Sequence, residues 1–436
     1  MAKNARGHRR EYSIHSQLIH GRARDEHWDY RHHVVPPLSS STAYRLEDAA
    51  RGARGFAEFA KEELRPAMRH RAPIYIYDRL AEPTRDMLEE ALAFAEHGEA
   101  AVTFATGMAA IAAAFGVTVA SGEHLVAHRV LYGSTYSLLA QWFPRYRIGV
   151  TMADLLQPET LRRALRPKTR VVYFESPANP NMQLVDFSIV RRVVDAANAR
   201  RPARARIQIV VDNTFATPFC QRPLALGADL VVHSLTKNIC GFGTDMGGAV
   251  VGARRFLGPL LSYRKDFGGV LSPKAAWPIL VYGLPTLSLR VRHQERTALE
   301  VAQFLERHPR IKAVRYPGLK SFPQGELARR QMIDYDGNFA PGTMLYFILA
   351  GAPAQARRRA ERLIDRLARN AYTVTLAVSL GQIRTLVEHP SSMTHAAVPL
   401  AQQVREGIDP GGVRMSIGLE SARDILRDLE RALASS

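Results

Sequence analysis

The sequence predicts an α/β protein with a large, doubly wound mixed sheet and a smaller C-terminal α+β domain. Three segments indicate this fold class: a strand that turns into a helix at residues 101–111, and two apolar runs at 206–214 and 229–237. Strands and helices alternate from about residue 75 to 267, as in open α/β sheets that bind ligands at the strand carboxyl ends. We therefore expect three parts: an N-terminal arm (1–74), an α/β domain (75–267) and an α+β domain (268–436).

The N-terminal arm is predicted to be irregular and to pack on a partner subunit. It contains Pro36-Pro37 and a hydroxyl-rich run at Ser39–Thr42, both typical of loops. Residues 1–10 are basic, but they are too few and too weakly amphipathic to indicate a transit peptide, and they contain no apolar signal segment. A cytoplasmic location is therefore the expectation.

The first strand and helix contain a candidate phosphate site. Residues 101–111 are typical of a strand that turns through Gly107 into an alanine-rich helix. The N–H groups at a helix start attract a dianionic phosphate, because they lie at the positive end of the helix dipole. Many α/β proteins turn at a glycine in this way, so this segment gains weight only together with Lys237 and Asp212.

Lys237 and Asp212 are the candidate cofactor residues. Each lies at the end of an apolar strand, and Lys237 is flanked by the hydroxyl groups of Ser234 and Thr236. A partly desolvated lysine has a lowered pKa and can attack a carbonyl group. Two adjacent strands would present this amine and the carboxylate at one sheet edge. Pyridoxal 5′-phosphate (PLP) needs such a pair, because the lysine holds its aldehyde and the aspartate keeps its ring nitrogen protonated.

The second half of the chain is predicted to begin with a helical segment over about residues 273–308. Met344–Leu349 is an apolar run typical of a buried strand. Residues 357–369 place apolar side chains at helical spacing among interleaved charges, which predicts an amphipathic surface helix.

These segments belong to an ordered series of motifs that resembles the PLP enzymes of cysteine and methionine metabolism. The resemblance runs from about Ser16 to the C-terminus and implies the PLP-dependent transferase fold of aspartate aminotransferase type, fold type I. The motifs are Ser16–Gly21, Tyr77–Thr84, Gly107–Ile111, Leu131–Thr135, Phe174–Pro180, Val211–Thr214, His233–Lys237, Tyr316–Leu319, Ser379–Gly381, His389–His395 and Val413–Glu420.

The resemblance implies roles for the cofactor residues. Lys237 would bind the cofactor aldehyde and act as a catalytic base, and Asp212 would pair with the ring nitrogen. Tyr132 would stack on the ring and protonate the leaving group, which makes it the second catalytic residue. The remaining cofactor contacts would come from Gly107, Met108, Ser234, Thr236, Tyr77 and Arg79 to the phosphate, and from Asn179 to the ring hydroxyl. Taken singly, Tyr132 and Asn179 would instead indicate a half-buried core tyrosine and a turn residue.

The resemblance also implies how the substrate is bound and how subunits assemble. Arg414 would bind the substrate carboxylate as a bidentate fork, with Ser379 and Val378 beside it. Tyr77 and Arg79 would reach the phosphate in a neighbouring subunit. The expected assembly is therefore a homodimer with shared active sites, paired into a homotetramer.

Small pocket differences favour methionine γ-lyase within this family. Val378 suits a thioether tail, whereas cystathionine γ-lyases and γ-synthases tend to carry glutamate there, and Lys265-Asp266 also resembles the methionine γ-lyase subgroup. The expected reaction converts L-methionine to methanethiol, 2-oxobutanoate and ammonia. O-acetylhomoserine sulfhydrylase, cystathionine γ-synthase and cystathionine γ-lyase remain alternatives, because these reactions use the same cofactor groups.

Several residues depart from the family pattern. Ser134 stands where methionine γ-lyases typically have a cysteine, and the chain is longer than usual around residues 52–71. The other replacements are Asn238 for an aromatic residue, Phe242 for a histidine, Asp78 for a serine and Glu82 for an asparagine. These replacements weaken the prediction that methionine is the substrate. They leave the prediction that PLP is the cofactor in place.

The composition fits a globular enzyme without a metal. The 436 residues are enough for two or more domains and a large core. Cys220 and Cys240 are the only cysteines, which excludes a disulfide framework. His389 and His395 fit no usual zinc spacing, so we interpret them as structural. No apolar run reaches membrane-spanning length.

The net charge of +18 raises nucleic-acid binding as a second class of function. The arginines are dispersed, and the sequence contains no zinc finger or aromatic RNA-binding motif, so neither nucleic acid nor a membrane is an expected partner. Salt-sensitive retention on DNA would distinguish this alternative. A third possibility is a protein that binds PLP without catalysis, which would show cofactor absorbance but no turnover.

Overall fold

The computed structural model describes residues 12–20, 33–59, 74–396 and 398–434. They form two compact units. The first unit contains the described residues as far as Val117, with Val232–Cys240 and Thr244–Ser288, and the second contains Thr118–Val231, Gly241–Gly243 and the described residues from Leu289 onwards. Neither unit is one continuous stretch of sequence.

Seven strands form one large mixed sheet. They are β1 (Ala100–Phe104), β2 (His124–His128), β3 (Gly149–Ala153), β4 (Thr169–Glu175), β5 (Gln208–Asp212), β6 (Leu230–Ser234) and β7 (Gly248–Gly252). Their order in the sheet is β1-β7-β6-β5-β4-β2-β3. Within the second unit, β2 is parallel to β3 and β4, and β4 is parallel to β5. Within the first unit, β1 pairs antiparallel with β7.

Five strands form a second sheet, which lies in the second unit. They are β8 (Ile311–Arg315), β9 (Met344–Leu349), β10 (Val374–Leu376), β11 (Thr385–Glu388) and β12 (Gly412–Ser416), in the order β10-β11-β12-β9-β8. Strands β11 and β12 pair antiparallel, with Glu388 directly opposite Arg414.

The described residues contain α-helices of very different lengths. They are α1 (Ile14–His20), α2 (Ala49–Glu58), α3 (Pro83–Ala95), α4 (Gly107–Gly116), α5 (Gly133–Ser137), α6 (Pro158–Ala164), α7 (Phe187–Asn198), α8 (Thr217–Cys220), α9 (Leu257–Phe267), α10 (Pro273–Pro278), α11 (Leu284–Arg307), α12 (Gly325–Gln331), α13 (Pro353–Asn370), α14 (Leu400–Arg405) and α15 (Ala422–Ala434). Short π segments at Leu138–Trp142 and Ile279–Gly283 continue α5 and join α10 to α11.

The segments predicted from the sequence are confirmed. Residues 101–111 contain the end of β1 and the start of α4, and the two later apolar runs contain β5 and β6. The helical segment after residue 273 contains α10 and α11, and Met344–Leu349 is β9.

Apolar burial explains why these elements form in the second unit. Strand β2 is buried along its whole length and β4 almost so, as expected of parallel strands covered on both faces. One core cluster joins apolar side chains of these strands to α6 and α7. A second joins α11, α13 and α15 to the smaller sheet, and α15 contributes Ile425, Leu429 and Leu433 at a spacing of one helical turn. The predicted amphipathic helix over residues 357–369 makes up most of α13.

The N-terminal arm is less irregular than expected, because the described residues include α1 and α2. Glycine allows α2 to pack closely: a Cβ at Gly55 would lie 2.8 Å from Ile76 Cδ1 and 2.9 Å from Ile74 Cγ2. The start of the longer stretch at residues 52–71 is therefore helical. Its remainder from residue 60, and the basic residues 1–10, lie outside the described residues.

Candidate active site

Lys237 lies in the turn after β6, in the first unit. Its N–H donates to the carbonyl of Ser234 at 3.2 Å, which closes the turn. The hydroxyl of Thr236 accepts the N–H of Gly247 at 3.1 Å and donates to the Gly247 carbonyl at 3.3 Å. These contacts tie the turn to the residue before β7 and fix the backbone that carries the lysine. Lys237 is half-buried, and a lysine amine can form a covalent bond with a carbonyl carbon.

The start of α4 has the shape of a phosphate cradle. Thr106 caps this helix, because its hydroxyl accepts the N–H of Ala109 at 3.1 Å. Gly107 follows, and a Cβ there would lie 2.8 Å from the Cβ of Ser234, so only glycine lets the helix start come this close to the end of β6. Gly107 and Met108 therefore hold their N–H groups at the positive helix end, beside the Ser234 side chain. This arrangement fits the phosphate of PLP.

Tyr77 and Arg79 lie together on the exposed surface of the first unit. The guanidinium carbon of Arg79 is 5.7 Å from the ring centre of Tyr77. Nη1 of Arg79 donates to the carbonyl of Lys265 at 2.5 Å, and the ammonium of Lys265 lies 3.3 Å from the carboxylate of Asp266. The Tyr-x-Arg motif and the Lys265-Asp266 pair are therefore neighbours. Their contact with a second subunit remains a prediction.

Asp212 and Glu175 end neighbouring parallel strands in the second unit, in register with each other. The N–H of Thr214 donates to Asp212 Oδ1 at 2.9 Å. Burial raises the pKa of Glu175 to about 8, and the adjacent Asp212 adds to the rise. The pair therefore favours one shared negative charge over two at neutral pH.

Glu175 also connects the residues expected around the cofactor ring. Its Oε1 accepts the N–H of Tyr132 at 2.6 Å, and its Oε2 lies 3.4 Å from the N–H of Asn179, which donates to it. Tyr132 precedes α5 and is 37% exposed, so its ring is open to a ligand. The next residue, Gly133, packs against the 390–395 loop: a Cβ there would lie 2.2 Å from the Thr394 carbonyl oxygen. The hydrogen bond to Glu175 and the close packing at Gly133 together fix the backbone position of Tyr132.

Arg414 is a buried cation held by three groups. Nη1 donates to Asn179 Oδ1 at 2.9 Å and lies 3.1 Å from Glu388 Oε1, and Nη2 donates to the carbonyl of Ser379 at 2.9 Å. Burial lowers the pKa of Arg414, whereas the carboxylate of Glu388 raises it. The guanidinium is therefore fixed in orientation before any ligand binds. Val378, an apolar residue that precedes Ser379 in the sequence, is 60% exposed.

The replacements in the Tyr77 motif have structural partners. Glu82 caps α3 as an asparagine would, because its carboxylate accepts the N–H groups of Thr84 and Arg85. Asp78 lies 2.9 Å from the buried guanidinium of Arg85. In the second unit, Phe242 lies against Arg290, whose guanidinium carbon is 5.5 Å from its ring centre. No contact in the structure explains Ser134.

His389 and His395 are held by neighbouring groups rather than arranged for a metal. His389 Nε2 lies 2.7 Å from the Pro410 carbonyl oxygen and Nδ1 2.7 Å from the Ser392 hydroxyl. His395 Nε2 lies 3.2 Å from the Leu131 carbonyl oxygen, and burial lowers its pKa to about 4. Among the described residues, no group of three or more His, Cys, Asp or Glu could hold a metal ion.

The predicted residues come together within each unit. In the first unit they are Gly107, Met108, Ser234, Thr236 and Lys237, with Tyr77 and Arg79 on the surface; in the second they are Asp212, Tyr132, Asn179, Arg414 and Ser379, with Val378 exposed beside them. Sequence reasoning missed Glu175 and Glu388. Both are acidic residues that end apolar strands, and that position was the available signal.

The chain is similar to known proteins over most of its length. The sequence profile of the Cys/Met metabolism PLP-dependent enzymes matches residues 15–434. The chain is 39% identical to L-methionine gamma-lyase of Porphyromonas gingivalis over 404 residues, which cover 92% of this chain and 93% of that protein. It is 37% identical to O-succinylhomoserine sulfhydrylase of Mycobacterium tuberculosis, over 83% of this chain and 84% of that protein.

The fold is also similar to that of a solved structure. The cystathionine gamma-lyase of Lactobacillus plantarum, solved with L-serine, matches with a TM-score of 0.82 and 28% identity, over 97% of this chain and 99% of that one. The chain belongs to the Cys/Met metabolism PLP-dependent enzymes and has their mixed α/β fold. Within that class it is a PLP-dependent carbon–sulfur lyase. Among the described residues, no helix is long and apolar enough to cross a membrane.

Proposed function

We propose that this lyase is a methionine γ-lyase, which converts L-methionine to methanethiol, 2-oxobutanoate and ammonia. The arrangement of Val378, Ser379 and Arg414 is the main support. It places an apolar, exposed side chain next to the residue whose carbonyl orients the buried guanidinium. A substrate whose carboxylate binds Arg414 would have its tail near an uncharged surface, which suits a thioether.

The proposed mechanism gives each of the predicted site residues a role. Bound PLP supplies an electron sink for the negative charge that develops on the substrate carbon atoms. Lys237 would hold the cofactor until the substrate amine takes its place, and its freed, neutral amine would then remove the proton from substrate Cα. Asp212 would keep a proton on the ring nitrogen. Tyr132 donates a proton to the sulfur of the leaving thiolate.

Arg414 orients the substrate through its carboxylate. A planar guanidinium binds a carboxylate with two parallel hydrogen bonds, which fixes the direction of the Cα–H bond relative to the base. Gly107, Met108, Ser234 and Thr236 would hold the cofactor phosphate, and Asn179 would lie at the ring hydroxyl. In the second unit, Asn179 and Arg414 are already joined by a 2.9 Å hydrogen bond.

The assembly and the location are further parts of the proposal. The exposed pair Tyr77 and Arg79 supports a homodimer in which each subunit contributes to the phosphate site of the other, with dimers paired into a homotetramer. Residues 1–74 would be the arm, 75–267 the cofactor domain and 268–436 the C-terminal domain. The enzyme would act in the cytoplasm.

A γ-replacement activity is the second candidate. The relative named O-succinylhomoserine sulfhydrylase is 37% identical to this chain, close to the 39% of the methionine gamma-lyase relative. Ser134, in place of the cysteine typical of methionine γ-lyases, also favours this alternative. The chain would then replace an activated homoserine hydroxyl with sulfide.

One product assay distinguishes the two reactions. PLP-loaded protein is incubated with L-methionine, or with O-acetylhomoserine and sulfide, and 2-oxobutanoate, methanethiol and homocysteine are quantified. If the protein is a methionine γ-lyase, L-methionine should yield 2-oxobutanoate and methanethiol in equal amounts. Homocysteine from the second mixture, with no keto acid from methionine, would replace the proposal with the sulfhydrylase activity.

A variant pair tests the apolar contact at position 378. V378E places a carboxylate where the thioether tail is expected and should raise the KM for L-methionine at least about tenfold, whereas V378L should change it less than about threefold. Equal KM values for both variants would contradict the placement of the tail.

A further inference from the structure

The ion pair of Glu388 and Arg414 is almost completely buried. The side chains are 1% and 3% exposed, and they lie directly opposite each other on β11 and β12. Charges in such a position are screened little by water or salt, so each strongly affects the other. Any ligand that meets Arg414 therefore also meets the field of Glu388.

The contacts of Arg414 leave one side of its guanidinium for a ligand. Nη1 is engaged by Asn179 and Glu388, and Nη2 by the Ser379 carbonyl. Among the described residues, the hydrogen bonds of Arg414 use Nη1 and Nη2 and not Nε. A carboxylate that approaches from the Nε side would find donors in a fixed orientation.

The contacts of Glu388 direct its charge towards Arg414. Thr394 donates its hydroxyl to Oε1 at 2.7 Å. Oε2 is buried and has no hydrogen-bond partner among the described residues. A buried carboxylate with one neutral donor depends on its cation for compensation, and it compensates that cation in return.

We propose that Glu388 sets the affinity of Arg414 for the substrate carboxylate, because it fixes the guanidinium and offsets its charge. Glu388 is thus a positioning residue that weakens carboxylate binding, which would allow the keto acid product to leave. This inference rests on the proposed role of Arg414 in binding substrate.

Two substitutions at Glu388 separate its effect on the charge of Arg414 from its effect on the orientation of the guanidinium. E388Q keeps an oxygen that can accept from Thr394 and face Nη1, but it removes the charge, so the carboxylate should bind more tightly. E388A removes both the charge and the support, so binding should weaken. E361Q is the matched control, because Glu361 is a half-exposed acid on α13 whose partner is Arg357.

The test measures the dissociation constant of 4-(methylthio)butanoate, which is methionine without its amino group, by calorimetry with PLP-loaded protein. We expect E388Q to lower this constant at least about fivefold, E388A to raise it and E361Q to leave it unchanged. In turnover, the KM for L-methionine should fall in E388Q without a rise in kcat. An unchanged or raised dissociation constant in folded E388Q would overturn the inference.

A second variant covers the case in which E388Q does not fold. T394V removes the hydroxyl group that donates to Glu388, so more of the carboxylate charge acts on Arg414. The dissociation constant of 4-(methylthio)butanoate should then rise about twofold. No rise would overturn the inference. The double variant R414A/E388Q carries no uncompensated buried charge. If it binds the probe as well as wild type, Arg414 is not the carboxylate site and the proposed substrate arrangement itself fails.

Discussion

The second unit contains two pairs of buried or half-buried ionisable residues that are balanced in opposite ways. Glu175 lies in register with Asp212, and the pKa of Glu175 is raised to about 8 by burial and by that second carboxylate. Glu388 lies opposite Arg414 and is balanced by the cation. In the first pair, a bound proton therefore neutralises one of the two carboxylates. In the second pair, the negative charge of Glu388 and the positive charge of Arg414 neutralise each other. Solution pH should therefore affect the first pair, and loss of one partner should affect the second.

Removal of the arginine should have the largest effect on stability. R414A leaves Glu388 buried without its cation, which should lower the free energy of unfolding by about 3–5 kcal/mol. R414A/E388Q should recover at least half of that loss, because no buried charge then lacks a partner. Urea unfolding of the three proteins measures both differences. A loss of less than about 1 kcal/mol in R414A would mean that the pair is not sealed from water.

Substitution of Glu175 should change how stability depends on pH. A carboxyl group with a raised pKa binds its proton more tightly in the folded chain. Its contribution to stability is therefore complete below about pH 4.5 and is lost as the pH rises through about 8. E175Q mimics the protonated form at every pH, so relative to wild type it should gain about 3.5 kcal/mol between pH 5 and pH 8.

Thermal unfolding at intervals across this pH range measures that gain. D195N, at an exposed acid on α7, is the control and should show no such trend. A constant difference between E175Q and wild type from pH 5 to pH 8 would mean that Glu175 is ionised throughout, and the contrast between the two pairs would disappear.

The hydroxyl of Thr394 sharpens the comparison on the Glu388 side. T394V keeps the shape of the side chain but removes the 2.7 Å hydrogen bond to Glu388. We expect a loss of about 1–2 kcal/mol in the free energy of unfolding, because the acceptor is a buried carboxylate. T394S, which keeps the hydroxyl, should lose less. Equal losses in the two variants would assign the effect to the methyl group.

An exposed ion pair should have the smallest effect. Arg357 and Glu361 lie one turn apart on α13, at 2.9 Å, with side chains 43% and 42% exposed. R357Q should change the free energy of unfolding by less than about 0.5 kcal/mol, because water screens such pairs. A loss comparable to that of R414A would show that burial is not what distinguishes the two pairs.

Much of the fold could be predicted from the sequence, because its signals are local. The apolar runs predicted the strands β5 and β6. The glycine at the turn within residues 101–111 predicted where α4 begins. The helices α1 and α2 were missed, because α1 is only seven residues long and α2 contains Gly52 and Gly55, which lower helix propensity. Glu82 was noted only as a replacement, whereas its capping role required the backbone positions of Thr84 and Arg85.

The site was predictable where a motif carried it, and less so where it depends on pairs distant in sequence. Lys237, Asp212 and Arg414 were named from motifs. The register that places Glu388 opposite Arg414 joins different strands of the smaller sheet, and no local pattern encodes it. Glu175 lies inside a recognised motif, but its proximity to Asp212 became evident only from the pairing of β4 with β5.

The central claim is that Lys237 binds PLP, and borohydride trapping tests it most directly. Reduction of the PLP-loaded protein fixes the cofactor to the lysine that holds it, and peptide mass spectrometry then locates the modification. We predict a phosphopyridoxyl group on the peptide that contains Lys237, and none on that peptide in K237R. Modification of another lysine in wild type, or equal labelling in K237R, would contradict the account.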